Sequence, residues 1–443
     1  MPSSRRAFLA GGAAAGAACL SGGCSGEART PSPAGPAVRN HPLDGVAREN
    51  VRITDVRVRL FSAEIPIEKW WYGAGVTVLT EVFTDRGILG IGGPSPYGGP
   101  DFVKEYTETR IKPRVVGKNP FDVETFAPGH ASFPEATAWA GVNVACWDII
   151  GRVKGRPVHE LLATDGPPRT RIEHYASAGT LHDWRKRPED LYDEARRYKE
   201  EGFASMKFRL GEHFEEEMTV ARYIPFLEGL RAAVGDEFGL MHENNMRLTL
   251  EHCLELAPAL KALGFVWLEE PVDRWGRTRG VAGQPEDVPK AIEWHRRIRE
   301  AVAPVRVSGG ETMTTRFEFK DWVDGGGYDI VQPDCDTTGL SEGWAIARHA
   351  HLAGLPCVPH NWHDGLTWMS NIQLVAAIPN ATVLESCRHY NPLREGLFKN
   401  PIVVKKGHAD VPSGPGLGVE VIDDADARFP YDPGKHWLRL RPV

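Results

Sequence analysis

Three glutamates recur at one kind of position along this 443-residue chain. Glu243 closes "FGLMHE", Glu269 closes "FVWLE" and Glu311 closes "VRVSGGE", each at the end of a short apolar run. Brought together, three carboxylates cannot all stay ionised without a cation, because each negative charge raises the pKa of the others. An all-oxygen donor set favours a hard divalent ion, Mg²⁺ first. A second feature is "SMKFRLG", Ser205 to Gly211. Strand side chains alternate faces, so Met206, Phe208 and Leu210 share one face, and Lys207 and Arg209 the other. Two cations side by side point to solvent or to a bound anion.

These residues need a frame that collects strand ends. After Arg171, short apolar strands alternate with amphipathic helices, beginning with "EHYASAG", "SMKFRL" and "FGLMHEN". "FVWLEEP", "VRVSGGE", "YDIVQPD", "PCVPHN" and "ATVLES" complete eight strands, separated by seven helices. That rhythm predicts an α/β fold, a (β/α)7-8 barrel of the TIM type, over residues 166–390. The C-terminal strand ends of such a barrel meet at one mouth. Asp334, His360 and Glu385 therefore join the glutamates there, with Lys207 and Arg209. Ahead of the barrel, "VRITDVRVRLF" and "VTVLTEVFTDRGILGIG" read as strands, and "AWAGVNVACWDIIGRVKG" reads as a helix. Residues 51–165 thus form an α+β unit. Residues 391–443 resume strand and turn signals and are expected to pack back on it.

In this order, with one element per strand, the motifs resemble the mandelate racemase subgroup of the enolase superfamily. The resemblance covers the chain from Val51 onward and rests on "GVNVACWDIIGRVKGRPVHELL", "EEP", "GGE", "PDCDTTG", "PHNW" and "LES". It implies Glu243, Glu269 and Glu311 as magnesium ligands, His360 with Asp334 as a catalytic pair, and Glu385 as a carboxyl group beside the substrate. It also implies an α+β capping domain over the barrel mouth and a homo-oligomer. The chemistry follows: a carboxylate substrate chelates Mg²⁺, and its α-proton becomes removable because the metal stabilises the enediolate. An imidazole with a near-neutral pKa, its tautomer fixed by Asp334, suits the proton transfer.

The sequence departs from its relatives at two points. The usual Lys-x-Lys is here Lys207-x-Arg209, and a guanidinium is a poor base but a good bidentate carboxylate partner. The third-strand ligand is usually Asp; here Glu243 stands in "ENN", with Asn245 as a further candidate contact. Trp70, Trp71 and Tyr72 in "EKWWYGAG" fall where relatives place a loop over the mouth, and His363 is a candidate substrate contact. Racemisation needs bases on both faces of the substrate, a demand that Arg209 meets poorly. Dehydration of a sugar acid, an aldonate or aldarate, is the reading preferred. A racemase or epimerase, or a non-catalytic sugar-acid-binding homologue, are the alternatives.

A net charge of -7 and the absence of a basic tract argue against nucleic acid. At the N-terminus, Arg5-Arg6 followed by a short apolar stretch reads as a twin-arginine export signal over residues 1–24, ending at Cys24, a candidate for lipidation. Residues 25–50 read as a linker, which puts the folded part in the periplasm or at the cell surface. The other five cysteines lack metal or redox spacing and are expected as small core residues.

Overall fold

The computed structural model describes residues 39–70, 73–127, 129, 131–183, 185–209, 219–274, 283–362 and 365–435. The export signal and Cys24 lie outside these residues, as do Trp71, Tyr72 and His363.

The chain opens with an antiparallel sheet, β1 (Ile53–Glu64), β2 (Ala74–Thr84) and β3 (Leu89–Gly92), in the order β1-β2-β3. Gly87 makes the predicted turn between β2 and β3 at φ +68°, a conformation favouring glycine. Helices α1 (Pro100–Tyr106), α2 (Lys112–Val115), α3 (Phe133–Lys154) and α4 (Val158–Leu162) complete this unit. A Ser132–Glu135 capping box starts α3, and Gly155, left-handed at φ +64°, ends it. Nearly every residue of α3 from Ala136 to Gly151 is buried. It lies between the sheet and the barrel.

The barrel alternates β4 (Arg171–Ala178), α5 (Pro188–Glu200), β5 (Ser205–Arg209), α6 (Val220–Val234), β6 (Gly239–Glu243) and α7 (Leu250–Ala262). It continues with β7 (Trp267–Glu269), α8 (Val288–Val302), β8 (Arg306–Gly309), α9 (Arg316–Asp324), β9 (Ile330–Val331) and α10 (Cys335–Leu352). Helix α11 (Gly365–Ala377) and β10 (Val383–Cys387) close the repeat. The order β10-β4-β5-β6-β7-β8-β9 is parallel throughout. Between β9 and β10 the seventh strand shrinks to a bridge: Val358 N donates to Val331 O (2.9 Å) and Cys357 N to Asn380 O (3.0 Å).

Strand alternation sorts the side chains as the sequence pattern demands. Tyr175, Met241, Trp267, Ile330, Val358 and Val383 fill the barrel's centre as one cluster. Phe208 and His242 point outward instead, Phe208 edge-on to Phe226 of α6 and His242 bonded through Nε2 to Tyr223 Oη at 2.5 Å. All five cysteines in the described residues are buried.

Cap and barrel are locked through α3 and α10. Asn143 Nδ2 and Trp147 Nε1 both donate to Ser341 Oγ at 3.0 Å, and Ser341 N donates to Asn143 Oδ1. Gly339, at φ +75°, passes so close to Asn143 that a Cβ would lie 2.8 Å from its Oδ1. After α12 (Pro392–Gly396) the tail divides its contacts rather than going to the cap at once. Strand β11 (His408–Asp410) pairs antiparallel with β4 of the barrel. The chain then reaches the cap, where Val158 N donates to Gly416 O and Leu417 N to buried Asp148. Beyond it, α13 (Ala425–Arg428) carries Asp426 to an ion pair with Arg59 of β1.

Two buried histidines tie the fold to neutral pH. Burial holds His174 at about 4 and His295 at about 3, each with Nδ1 against a backbone carbonyl. Their folded pKa values lie below the unfolded value of about 6.5, so the stability they contribute is complete above about pH 6.5. It is lost as pH falls toward 4 and 3, by roughly 2–3 kcal/mol per histidine at pH 4. Calorimetric melting from pH 7 to pH 4 should show a steep fall in Tm, shallower in His295→Gln. An equal slope in that variant would remove His295 from the account.

Candidate active site

Parallel register brings the predicted residues to one end of the barrel. Arg209 aligns with Glu243, and Glu243 with Glu269. Glu311 follows β8, Asp334 follows β9, His360 follows the Cys357 bridge, and Glu385 lies on β10 beside Tyr175 of β4. One carboxylate oxygen from each of Glu243, Glu269 and Glu311 lies within 4.8 Å of the others.

Each carboxylate is aimed by a neutral donor. Glu269 Oε2 accepts from Gln332 Nε2 (2.7 Å) and from Trp267 Nε1 (3.0 Å). Glu243 Oε1 accepts the backbone N–H of Asn245 at 2.5 Å, and Asn245 Nδ2 donates to Glu311 Oε1 at 3.1 Å. Asn245, a candidate substrate contact by sequence, thus positions two of the three glutamates. It does so from a turn in which Asn245 and Met246 both have positive φ, 48° and 62°. The neighbouring Glu270 also has positive φ, 44°, and turns its carboxylate to Gly310 N and to buried Arg274.

Lys207 stands in the middle of this negative charge. Its Nζ bonds to Glu269 Oε1, and lies 2.9 Å from Glu385 Oε1 and 3.6 Å from Glu243 Oε2. Burial would lower the ammonium's pKa, but Glu269 and Glu385 outweigh it and raise it well above the ordinary lysine value. Arg209 does not share that position. It is half-buried at the rim, and its charge bears on Glu311 and on His389. The two cations of "SMKFRLG" therefore separate: one neutralises the carboxylates from within, the other faces the mouth.

On the opposite side, His360 Nδ1 lies 2.7 Å from Asp334 Oδ2, and Nε2 lies 3.5 Å from Glu311 Oε2. Asp334 caps α10 by accepting Asp336 N, and takes a further bond from Asn371 Nδ2 at 2.9 Å. One side chain thus serves the helix and the imidazole together. Burial would lower His360, but Glu311, Glu385 and Asp334 raise it to about 10. Glu385, which burial would raise, is instead brought to about 2 by Lys207 and His360, helped by the N–H of Asn361 at 2.7 Å.

The donor chemistry fits a hard divalent cation. Burial, then the charges of Glu269 and Glu311, push Glu243 well above the ordinary carboxylate range. A cation between the three oxygens would remove that penalty, and the outer donors Gln332, Trp267 and Asn245 would hold the three carboxylates in place for it. Gln332, Asn361 and Asn371 escaped the sequence reading, although "VQPD" and "PHNW" contain the first two. Their neutral amides carry no signal of their own.

A parallel barrel under an α+β cap, with a carboxylate cluster and a histidine–aspartate pair at one mouth, defines an enzyme class with metal-ligating strand ends. Residues 67–163 match the mandelate racemase / muconate lactonizing enzyme N-terminal domain, and residues 190–425 match the enolase C-terminal domain-like family. The chain belongs to this mandelate racemase-like family of the enolase superfamily. It is 31% identical over 302 residues to the D-galactarolactone cycloisomerase of Agrobacterium fabrum, covering 66% of this chain and 74% of that one. It is 30% identical over 356 residues to the arabinonate dehydratase of Saccharolobus solfataricus, covering 78% and 88%. The crystal structure of the 3,6-anhydro-D-galactonate cycloisomerase from Zobellia galactanivorans superposes with TM-score 0.71 at 26% identity, covering 85% of this chain and 99% of that one.

Proposed function

We propose that the protein is a divalent-metal-dependent dehydratase of a sugar acid. The observation that carries this reading is His360, seated on Asp334 with Nε2 at the mouth of the carboxylate triad, facing a strand whose usual base position holds Arg209. Among the described residues at this mouth, His360 is the group suited to accept and return a proton, since the Arg209 guanidinium is a poor base.

Glu243, Glu269 and Glu311 would hold the cation, Mg²⁺ by donor chemistry; it supplies positive charge beside the substrate carboxylate and offsets the pull of Glu311 on the His360 pKa. Arg209 offers a fork of donors to the substrate carboxylate. Lys207 keeps the charge of Glu385 and Glu269 matched while the α-carbon loses its proton. Neutral His360 takes that proton on Nε2, and Asp334 stabilises the imidazolium. The same proton is then returned to the β-hydroxyl, which leaves as water. The resulting enol tautomerises to a 2-keto-3-deoxy acid, so no proton or electron is left over.

The arabinonate dehydratase relative supports this reaction, and the two cycloisomerases, named for a galactarolactone and for 3,6-anhydro-D-galactonate, support a substrate of the sugar-acid class. Incubation with a library of acid sugars and Mg²⁺ should yield a 2-keto acid from at least one member. In D₂O, exchange of a substrate's α-proton without loss of water would replace the dehydratase with an epimerase. No exchange and no product with any acid sugar would leave a binding protein.

A further inference from the structure

Of the four non-glycine residues with positive φ among the described residues, three meet at the triad: Asn245, Met246 and Glu270. Such a backbone costs energy and persists only where its surroundings fix it. Glu270 is fixed at four points. Its N–H donates to Ser308 O of β8 at 3.0 Å, and its carbonyl accepts Met246 N at 2.7 Å in the turn after β6. Its carboxylate accepts Gly310 N at 2.7 Å through Oε1, while Oε2 lies 2.7 Å from Arg274 Nε.

Arg274 carries the contact onward. Its Nη2 donates to Thr312 Oγ1 at 2.5 Å, 38 residues along the chain. Gly310 and Thr312 are the two neighbours of Glu311. The Glu270–Arg274 pair therefore grips the chain on both sides of one triad glutamate, from a segment that begins directly after another, Glu269. Through Met246 it also braces the turn whose Asn245 holds Glu243 and Glu311. Both charged side chains are fully buried. A buried ion pair is weak evidence of added stability, because apolar residues of similar volume often hold a fold as well. The loop it grips supplies a different reason for keeping it: partners behind metal ligands set where those ligands point.

We propose that Glu270 and Arg274 form a clamp that sets the position of Glu311 for a divalent cation. Glu270, Arg274 and Thr312 are then positioning residues rather than ligands. The inference rests on the divalent-metal reading above and extends it to a layer behind the triad.

The test uses the full chain without substrate, titrated with Mg²⁺ by calorimetry and with Mn²⁺ by EPR. Glu270→Gln combined with Arg274→Met removes one charge of each sign, so no buried charge is orphaned and the net charge near Glu311 is unchanged. The glutamine can still accept Gly310 N; the arm to Thr312 is lost. Mg²⁺ affinity should fall by about 10-fold or more, and the line shape of bound Mn²⁺ should change. The melting temperature in EDTA should stay within a few degrees of wild type. Thr312→Val, which deletes one hydroxyl acceptor, should weaken Mg²⁺ by about threefold or more, and it decides the matter alone if the double variant does not fold. Wild-type Mg²⁺ affinity in the folded variants overturns the clamp and leaves the metal site standing. Affinity lost only together with a large fall in the EDTA melting temperature also overturns it, marking the pair as structural. If the wild type binds neither Mg²⁺ nor Mn²⁺, the metal reading itself falls and the clamp with it.

Discussion

His360→Asn should lose turnover by about 10³-fold or more while keeping its fold and its affinity for Mg²⁺. Asparagine is close in size, and its amide can still donate to Asp334, which also accepts from Asn371 and from Asp336 N. The buried aspartate is thus not left as an unpaired charge, and Tm should fall by no more than a few degrees. What asparagine cannot do is take a proton at one atom and return it. Chemistry, rather than assembly, is lost. The comparison requires three measurements on one preparation: kcat, the Mg²⁺ titration and the melting curve. Turnover near the wild-type rate, with metal binding intact, would take the imidazole out of the mechanism.

Glu269→Gln should abolish both activity and the response to magnesium. Glu269 is the most tightly held member of the triad, accepting from Lys207, Gln332 and Trp267. Removing its charge takes away one metal ligand and one counter-charge to Lys207, while Glu385 and Glu243 still neutralise the ammonium. The apo protein should therefore stay folded. In the wild type, a metal present at 100 times its Kd adds about 2.7 kcal/mol of stability, and EDTA should strip that away as a drop in Tm. In Glu269→Gln the melting curves with Mg²⁺ and with EDTA should coincide. An undiminished magnesium response would show that the cation binds elsewhere.

The two variants separate the parts of the site. One leaves a loaded but inert centre, the other an empty one. Lys207 links them, because it touches a triad member and Glu385 at once. Its engagement explains why a chain with Arg209 in the usual base position still carries a lysine two residues earlier: the ammonium matches buried negative charge.

Much of this was legible from residue types and spacing. Eight apolar runs separated by amphipathic helices have few ways to bury both faces of their strands, and a parallel barrel is the one that gathers their C-terminal ends. Glu243, Glu269, Glu311, Asp334, His360 and Glu385 each occupy such an end, so their convergence followed from local pattern alone. The outward turn of His242 and the inward turn of Lys207 followed in the same way, since alternation along a strand is a property of the backbone.

What the tertiary structure decided is how far apart neighbours on one face come to lie. Lys207 and Arg209 share a face of β5, yet among the described residues Lys207 is the one with three carboxylates within 4 Å, because a position deeper in the barrel meets side chains from several strands. Asn245 turned from a candidate contact into a clamp on Glu243 and Glu311. Gln332 and Asn371 gained their roles from partners 63 and 37 residues away in sequence. Trp70 and Trp362, from distant segments, both pack against the His389 imidazole. Periodicity reports which way a side chain points; distance across a closed barrel, and the charge it meets there, exist only once the chain has folded.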